Sequence, residues 1–516
     1  MERNGAIYKD FEKLSAENIS LKDRILGYQE KLHDLRNALK NSNALLEKAK
    51  SLHKEMVAEK DAVIKALANR VAHLEAIAAH DGTNTGVPTS ATPIGKKKVI
   101  PNSRGNSGKK RGGQPGHPKH FLPRFCGSEV TEIVIHTPEG VCAACGGELK
   151  DSGETVSKDE YDVEIRTVKR RHEYRICRCA GCGAEARQPI PGNLKENNQY
   201  GGGVQALALS LMNTGNVAIN KVRALISGMT DGAMTQSEGF ITKLQGRAAM
   251  GLAAFVADLK TLLIQRPLVY WDDTVIMINT ARACLRFYGD KSISFYAAHA
   301  HKDMESLEDD GILGLLTPET TAVHDHNRVN YNDKFCFRNL ECNQHLQRDL
   351  QKNADDIRHA WSADLKKTIS STIHERKQMI AKGETRFPPE CVEKFKEKVS
   401  LALSAGWEEN KGSARNEAAK FERALLARID KYRENYFIWV EDFSLPTTNN
   451  LSERGLRCVK THMKVSGQFA NVKTARYYAT IKTYIETCRK NGINEMAALS
   501  RLCMGNPYTA SEIFSP

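Results

Sequence analysis

Apolar residues in the first 79 positions recur at steps of four and three: Ile7, Phe11, Leu14, then Leu21, Ile25, Tyr28, Leu32, Leu35, Leu39, Leu46 and Ala49. That spacing is a heptad seam, and the segment contains no proline to break a helix. Asn18 falls on the seam, where one polar residue fixes register. The seam later shifts to Val63, Leu67, Val71 and Leu74, a four-residue stutter. The pattern predicts a long helix over residues 1–79. Its partner is either the same segment of a second chain or a hairpin within one chain; heptads this sustained favour the homodimer.

The periodicity stops over residues 80–120, where Gly, Pro, Ser, Thr and Asn dominate and a flexible linker is expected. Residues 121–195 contain a stretch that alternates as strands do (TVSKDEYDVEIRTVKRRHEYRI). Residues 196–265 read as short helices over Val204–Met212, Val217–Ile226 and Gln236–Arg247. Either a helix-turn-helix or a plain helical packing unit fits them. From residue 266 the period becomes that of strands: Pro267–Asp273 continuing through Val275–Ile278, then Cys284–Tyr288, Ile293–Ala298 and Thr321–Asp325. Leu365–Lys382, Cys391–Ser404 and Ala414–Asn435 return to a helical period, an all-helical insertion over about residues 345–435. Tyr436–Val440 then reads as a strand, and Asn450 onward as a helix. The expected fold class is multidomain α+β, with an α/β domain over residues 266–516.

Composition and charge sharpen this outline. A chain of 516 residues is too long for one core. Its net charge of +13 points to a polyanionic partner, nucleic acid before an anionic membrane surface. No apolar run reaches the roughly 18 residues that span a bilayer. The first residues carry charges where a signal peptide needs an apolar stretch. A cytoplasmic, nucleoid-associated protein without membrane partners is expected. The linker carries eight Lys or Arg and no acid between Lys96 and His120. Its end, Lys109-Lys110-Arg111-Gly112-Gly113-Gln114-Pro115-Gly116-His117, suits either a strand along a DNA groove or a solvated tether.

In a reducing compartment, clustered cysteines read as metal ligands. Cys142-Ala-Ala-Cys145-Gly and Cys179-Ala-Gly-Cys182-Gly are two C-x-x-C knuckles, which together supply the tetrahedral set of one structural zinc ion in a zinc ribbon. Cys177 is an extra thiol whose spacing to Cys182 does not make a knuckle.

Acids close two of the expected strands, Asp272 with its neighbour Asp273 and then Asp325, and Glu453 lies on the later helix. Three such carboxylates suit two hard divalent ions, Mg²⁺ or Mn²⁺, clamping an in-line phosphoryl displacement. Each acid alone also has an ordinary role: a turn residue at a strand end, or, for Glu453, the partner of Asn450 in a capping box.

The order of coiled coil, basic Arg111–His117 segment, double knuckle and D…D…E resembles the insertion sequence 66 family of DDE transposases over nearly the whole chain. Asn449-Asn450-Leu-Ser-Glu453-Arg454-Gly-Leu-Arg457 is similar to that family's Asn-Asn-x-x-Glu-Arg-x-Leu-Arg signature. The family's Asp-Glu-Thr falls on Asp272-Asp273-Thr274. Its second Asp falls on Asp325, followed here by His326-Asn327 rather than Gly-Tyr. Tyr331 and Cys342-Asn-Gln-His345-Leu-Gln-Arg348 resemble its Cys-x-x-His-x-x-Arg block.

The resemblance implies a ribonuclease-H-like core, cleavage and strand transfer at the ends of a mobile element, and accessory proteins of the same element. It implies Asp272, Asp325 and Glu453 as catalytic metal ligands, and His345 and Arg348 near the active site or DNA. Lys109, Lys110, Arg111, Gln114, His117, Arg348, Arg454, Arg457, Lys460 and Lys464 are the expected contacts to double-stranded DNA, with further cations at Lys473, Arg476, Lys482, Arg489 and Lys490. The alternative is a catalytically silent DNA-binding regulator derived from a transposase.

Overall fold

The computed structural model describes residues 2–79, 116–118, 121–413 and 416–515. The basic residues Lys109, Lys110, Arg111 and Gln114 lie outside the described residues. The chain divides into two compact units, Met1–Asp81 and Gly82–Pro516.

The first unit is one uninterrupted helix, α1 (Glu2–Ala79). At 1.5 Å per residue it extends about 117 Å. No turn folds it into a hairpin, so that alternative is set aside. Its seam is bare: Leu21, Ile25, Leu32, Leu35 and Leu39 are each about half exposed or more. The side chains of Ile7, Val71 and Leu74 lie outside the described residues.

In the second unit, no side chain among the described residues before residue 200 is buried. The strands expected between the knuckles are absent there. Their apolar residues face solvent, Val156 at 90% and Val163 at 82%, and the backbone pairs at Cys177–Arg178 with Glu185–Ala186 and at a single bridge, Val141 with Glu148. Four helices follow: α2 (Gly202–Asn213), α3 (Ile219–Met229), α4 (Glu238–Gly251) and α5 (Ala253–Ile264).

They lead into a five-stranded sheet of β1 (Leu268–Ile278), β2 (Ala281–Gly289), β3 (Ser294–His299), β4 (Thr321–His324) and β5 (Arg338–Glu341). Its spatial order is β3-β2-β1-β4-β5. The first three strands are an antiparallel meander, and β4 and β5 run parallel to β1. A short helix, α6 (Met304–Asp310), lies in the β3–β4 crossover. Strand β5 was not legible in the sequence, because only Leu340 and Glu341 of its four residues are buried.

Helix α7 (Asn343–Ile357) starts directly after β5 and opens the insertion α8 (Ala360–Ala381), α9 (Pro389–Lys411) and α10 (Glu417–Lys431). The expected strand at Tyr436–Val440 is instead helical: α11 (Arg433–Phe437) runs into a 3₁₀ turn, Ile438–Val440. A short apolar run does not distinguish strand from buried helix. Here Tyr436, Trp439 and Val440 are buried against the insertion helices, and Trp439 Nε1 donates to Tyr436 O at 2.9 Å. The chain ends in α12 (Asn450–Val465), α13 (Val472–Lys490), α14 (Glu495–Cys503) and α15 (Ala510–Phe514).

Alternation along β1 sends its side chains to two faces. Val269 and Trp271 join a core with α2–α5, α13 and α14. Tyr270 joins the core of the insertion, while Ile276 and Ile278 pack with Leu456, Val459 and Met463 of α12. Asp272 shares the parity of Tyr270 and Ile276, and Asp273 that of Trp271.

A candidate metal centre at the sheet and two helix starts

Three segments converge beside the sheet: the residue after β4 with Asp325, the start of α7 with Cys342 and His345, and the first turn of α12 with Glu453; Asp272, mid-β1, is not in that group and is linked to it through the charge of Asp325. His345 Nδ1 lies 2.9 Å from Asp325 Oδ1 and 3.8 Å from Glu453 Oε1. Arg348 Nη2 lies 3.4 Å from Glu453 Oε1, and its Nη1 is 3.2 Å from His345 Nε2. Asp325, Cys342, His345 and Glu453 each offer a ligand atom, all within 4.8 Å of one another. Despite the short separation, Asp325 Oδ1 and His345 Nδ1 are not aligned as a hydrogen bond, and both are buried without a hydrogen-bond partner. The two atoms form a close ion pair, and the donor set around them, carboxylate, imidazole and thiol, is one that a divalent cation can use.

The electrostatics of the acids agree with that fit, whereas His345 is held as the protonated partner of Asp325 and must lose its proton to bind a metal. Burial first, and then the neighbouring charge of Asp325, pushes the Asp272 carboxyl up to about 7. Contact with the Asp325 carboxylate first, then with the Cys342 thiol, raises His345 to about 10. Crowded carboxylates destabilise one another until a cation neutralises them. The three carboxylates are hard oxygen donors, whereas His345 and Cys342 add softer nitrogen and sulfur.

The pair at 272–273 separates as alternation requires. Asp273 Oδ1 is engaged by Lys302 Nζ at 2.7 Å, while Asp272 Oδ1 accepts the Asp273 backbone N–H at 2.8 Å. The capping-box role for Glu453 does not occur. Asn450 is already helical, and the N-cap is Asn449, whose side chain makes no cap bond. Asn449 Nδ2 instead donates to Trp271 O at 3.0 Å, and its backbone N–H meets Cys342 Sγ at 3.2 Å. One residue thus ties the start of α12 to the strand position before Asp272 and to the start of α7. Gly455 completes the fit: a Cβ there would stand 2.7 Å from the Phe287 ring, and Phe287 is the register partner of Asp272. Cys342, Asn449 and Gly455 were missed as positioning residues, although Asn449 opens the Asn-Asn-x-x-Glu-Arg string, Gly455 follows it and Cys342 opens the Cys-x-x-His block.

Arg454, Arg457, Lys460 and Lys464 are exposed on α12, and Lys460 is near enough to lower Asp272 electrostatically. The other expected cations divide. Lys473, Arg476 and Arg489 are exposed, but Lys482 is buried, donating to Asn213 O at 3.2 Å and pairing with Glu486 at 2.8 Å. Lys490 Nζ is spent on Asp290 O and Ile293 O, both at 2.7 Å. These two hold the fold rather than offering charge to phosphate. His117 is exposed.

The knuckles form the same turn twice. Cys142 N–H donates to Gly147 O and Gly146 N–H to Cys142 O; Cys179 N–H donates to Ala184 O and Gly183 N–H to Cys179 O. Gly146 and Gly183 take φ of 72° and 73°, the left-handed region where glycine is strain-free. Backbone N–H groups of Ala144 and Cys145 lower the Cys142 thiol, and those of Cys182 and Gly181 lower Cys179. Cys177 lies outside the turn, on the short strand pair. The two turns are not brought together: among the described residues, the Asp325 group alone gathers three or more candidate ligands.

Residues 227–477 match the family model described as Transposase IS66 family, a span that contains Asp272, Asp325 and Glu453. The matched span is thus an IS66-family transposase domain, and that family is one of DNA-processing enzymes that use divalent metal. No curated protein matches it. Among the described residues, no helix is long and apolar enough to cross a membrane.

Proposed function

We propose that the chain cuts and joins DNA strands by phosphoryl transfer at a two-metal site held by Asp272, Asp325 and Glu453, in a ribonuclease-H-like core. The observation that carries this reading is the cluster of Asp325 and Glu453 donor atoms from the end of β4 and the start of α12, with Asp272 of β1 close enough for the charge of Asp325 to raise its carboxyl. The strand order β3-β2-β1-β4-β5, with β1–β3 antiparallel and β4 and β5 parallel to β1, supports the core assignment.

Two divalent ions would supply Lewis-acid stabilisation to the attacking and leaving oxygens. The protein's own residues do the rest. Asp272 and Glu453 are rigidly placed through Asn449 and the Gly455–Phe287 contact. Arg348 sits against Glu453 and is half exposed, so it can turn its guanidinium to a phosphate oxygen. Arg454, Arg457, Lys460 and Lys464 line the approach with positive charge, and their contacts to phosphate make binding salt-dependent. In the first step a water oxygen bonds to phosphorus and the 3′ oxygen leaves. In the second, the freed 3′-OH attacks a phosphate of target DNA and displaces its 3′ oxygen.

Glu453→Gln tests the reading, because glutamine keeps the shape and loses the charge. We expect a folded protein with retained DNA affinity whose Mg²⁺-dependent cleavage falls at least about 100-fold, roughly 2.7 kcal/mol of barrier. Asp272→Asn and Asp325→Asn behave alike, whereas Asp273→Asn, which breaks only the Lys302 pair, retains most activity. Unchanged cleavage by folded Glu453→Gln defeats the proposal. A wild-type chain that binds element ends without cutting them leaves the silent regulator.

A further inference from the structure

A cavity of about 740 Å³ opens between α10 and the segment that follows β4. Its α10 wall is Phe421, Leu425, Arg428 and Lys431, at the spacing of one helix face, continued by Tyr432. Its other wall is His326, Arg328 and Tyr331. Four rings and three cations therefore line it, and no acid does.

The rings are held in place from behind. Glu341, buried under the cavity, accepts from Tyr331 Oη at 2.6 Å and contacts His326 Nδ1 at 2.7 Å, while Asn435 Nδ2 donates to Tyr331 Oη at 3.1 Å. Tyr432 lies against Tyr331 with centroids 4.1 Å apart, and His326 lies 5.2 Å from Tyr432. Arg428 is anchored by Asp349 at 2.6 Å, and its Nε is buried with no hydrogen-bond partner. Arg328 is exposed and pairs with no acid among the described residues.

We propose that this cavity receives an unpaired nucleobase of the DNA substrate, stacked on the Tyr432 and His326 rings, with Arg328, Arg428 and Lys431 on its flanking phosphates. The volume falls in the range of about 300–1,000 Å³ typical of small-ligand sites. Aromatic faces take any base, and cations beside them follow the backbone, the combination that grips single strands. An apolar peptide would leave Arg328 and Lys431 without counter-charge. The base must be unpaired, because in a duplex its faces are covered by its neighbours. The location supports this: His326 follows Asp325 directly, and Asp349, which anchors Arg428, follows Arg348 on α7. A base drawn into the cavity would thus fix the adjoining strand beside the carboxylates. The inference deepens the proposed function and rests on it for the identity of the substrate as DNA.

The test uses the full chain and two labelled probes: a blunt duplex, and the same duplex with unpaired terminal nucleotides, one of them 2-aminopurine. The expected result is about tenfold tighter binding of the frayed duplex, with 2-aminopurine emission quenched by stacking. Tyr432→Ala should abolish both the preference and the quenching, and Tyr432→Phe, which keeps the ring face, should restore them. Because Tyr432→Ala removes packing, Arg328→Ala with Lys431→Ala provides a second arm at exposed positions, expected to weaken the frayed duplex more than the blunt one. Equal affinity of the wild-type chain for both duplexes, or a preference that survives Tyr432→Ala, overturns the inference. Cleavage by the wild-type chain separates the two readings. A wild-type chain that shows the preference but never cleaves sinks the catalytic proposal alone; a wild-type chain that cleaves without any preference sinks the cavity alone.

Discussion

Gly455 carries more of the site's geometry than its size suggests. Alanine is the better helix former by about 1 kcal/mol, so on propensity alone Gly455→Ala would stabilise α12. The contact reverses the sign. The added methyl would meet Phe287 at 2.7 Å. That ring is fully buried and packed edge-on against Tyr296 at 5.3 Å, and Tyr296 Oη donates to Gly455 O at 3.0 Å. Neither aromatic can yield without breaking the other's contact. Overpacking of this kind costs about 1–3 kcal/mol. We therefore expect Gly455→Ala to lower the melting temperature and to reduce cleavage further, since α12 must lift Glu453 away from Asp325 and His345. Thermal unfolding beside a cleavage assay checks both; an unchanged or higher melting temperature would show that the sheet gives way freely.

At the scale of elements, the knuckles pose the clearest chemical question. Each turn aims backbone N–H groups at a sulfur and lowers its thiol, which prepares a thiolate for a metal. The surrounding chain has no core of its own, with Ile135 at 82% exposure and Val163 the same. A segment that cannot bury its apolar residues gains its order from a ligand or does without. We propose that Cys142, Cys145, Cys179 and Cys182 hold one structural zinc ion, which draws the two turns together. Metal analysis of purified protein should find about one equivalent, and Cys179→Ser should release it while Cys177→Ser should not. Four freely reactive thiols in metal-free protein would dispose of the zinc ribbon.

For the whole molecule, α1 is the element that a single chain leaves unfinished. An isolated helix is held mainly by packing of its apolar face, and this seam is exposed from Phe11 at 70% to Leu67 at 59%. A second copy of the same seam is the partner the heptads specify. Full-length chain should sediment as a dimer or larger assembly at tens of micromolar, well above a Kd of about 1 μM for such a coil. Lys substitutions together at the seam positions Leu21, Ile25, Leu32 and Leu35 should shift it to monomer. A wild-type monomer at that concentration would mean that α1 serves another partner.

Much of this was legible because it is local. The 3.5-residue seam, the C-x-x-C-Gly turns, the helices over 202–251 and the strands from Leu268 to His324 each declare themselves within a dozen residues, through side-chain periodicity and the backbone demands of glycine. The acids Asp272, Asp325 and Glu453 were visible by type and position. What the sequence left open was decided by contacts between distant segments. Tyr436–Val440 is helical because its aromatics are buried against the insertion, a fact of packing that overrides a short strand-like run. Asp272 is distinguished from Asp273 by which face α12 covers. Asn449 reaches Trp271 across 178 residues, and Glu341 gathers His326 and Tyr331 beneath the cavity. No local period records such meetings, because they exist only once the sheet, α7 and α12 have packed.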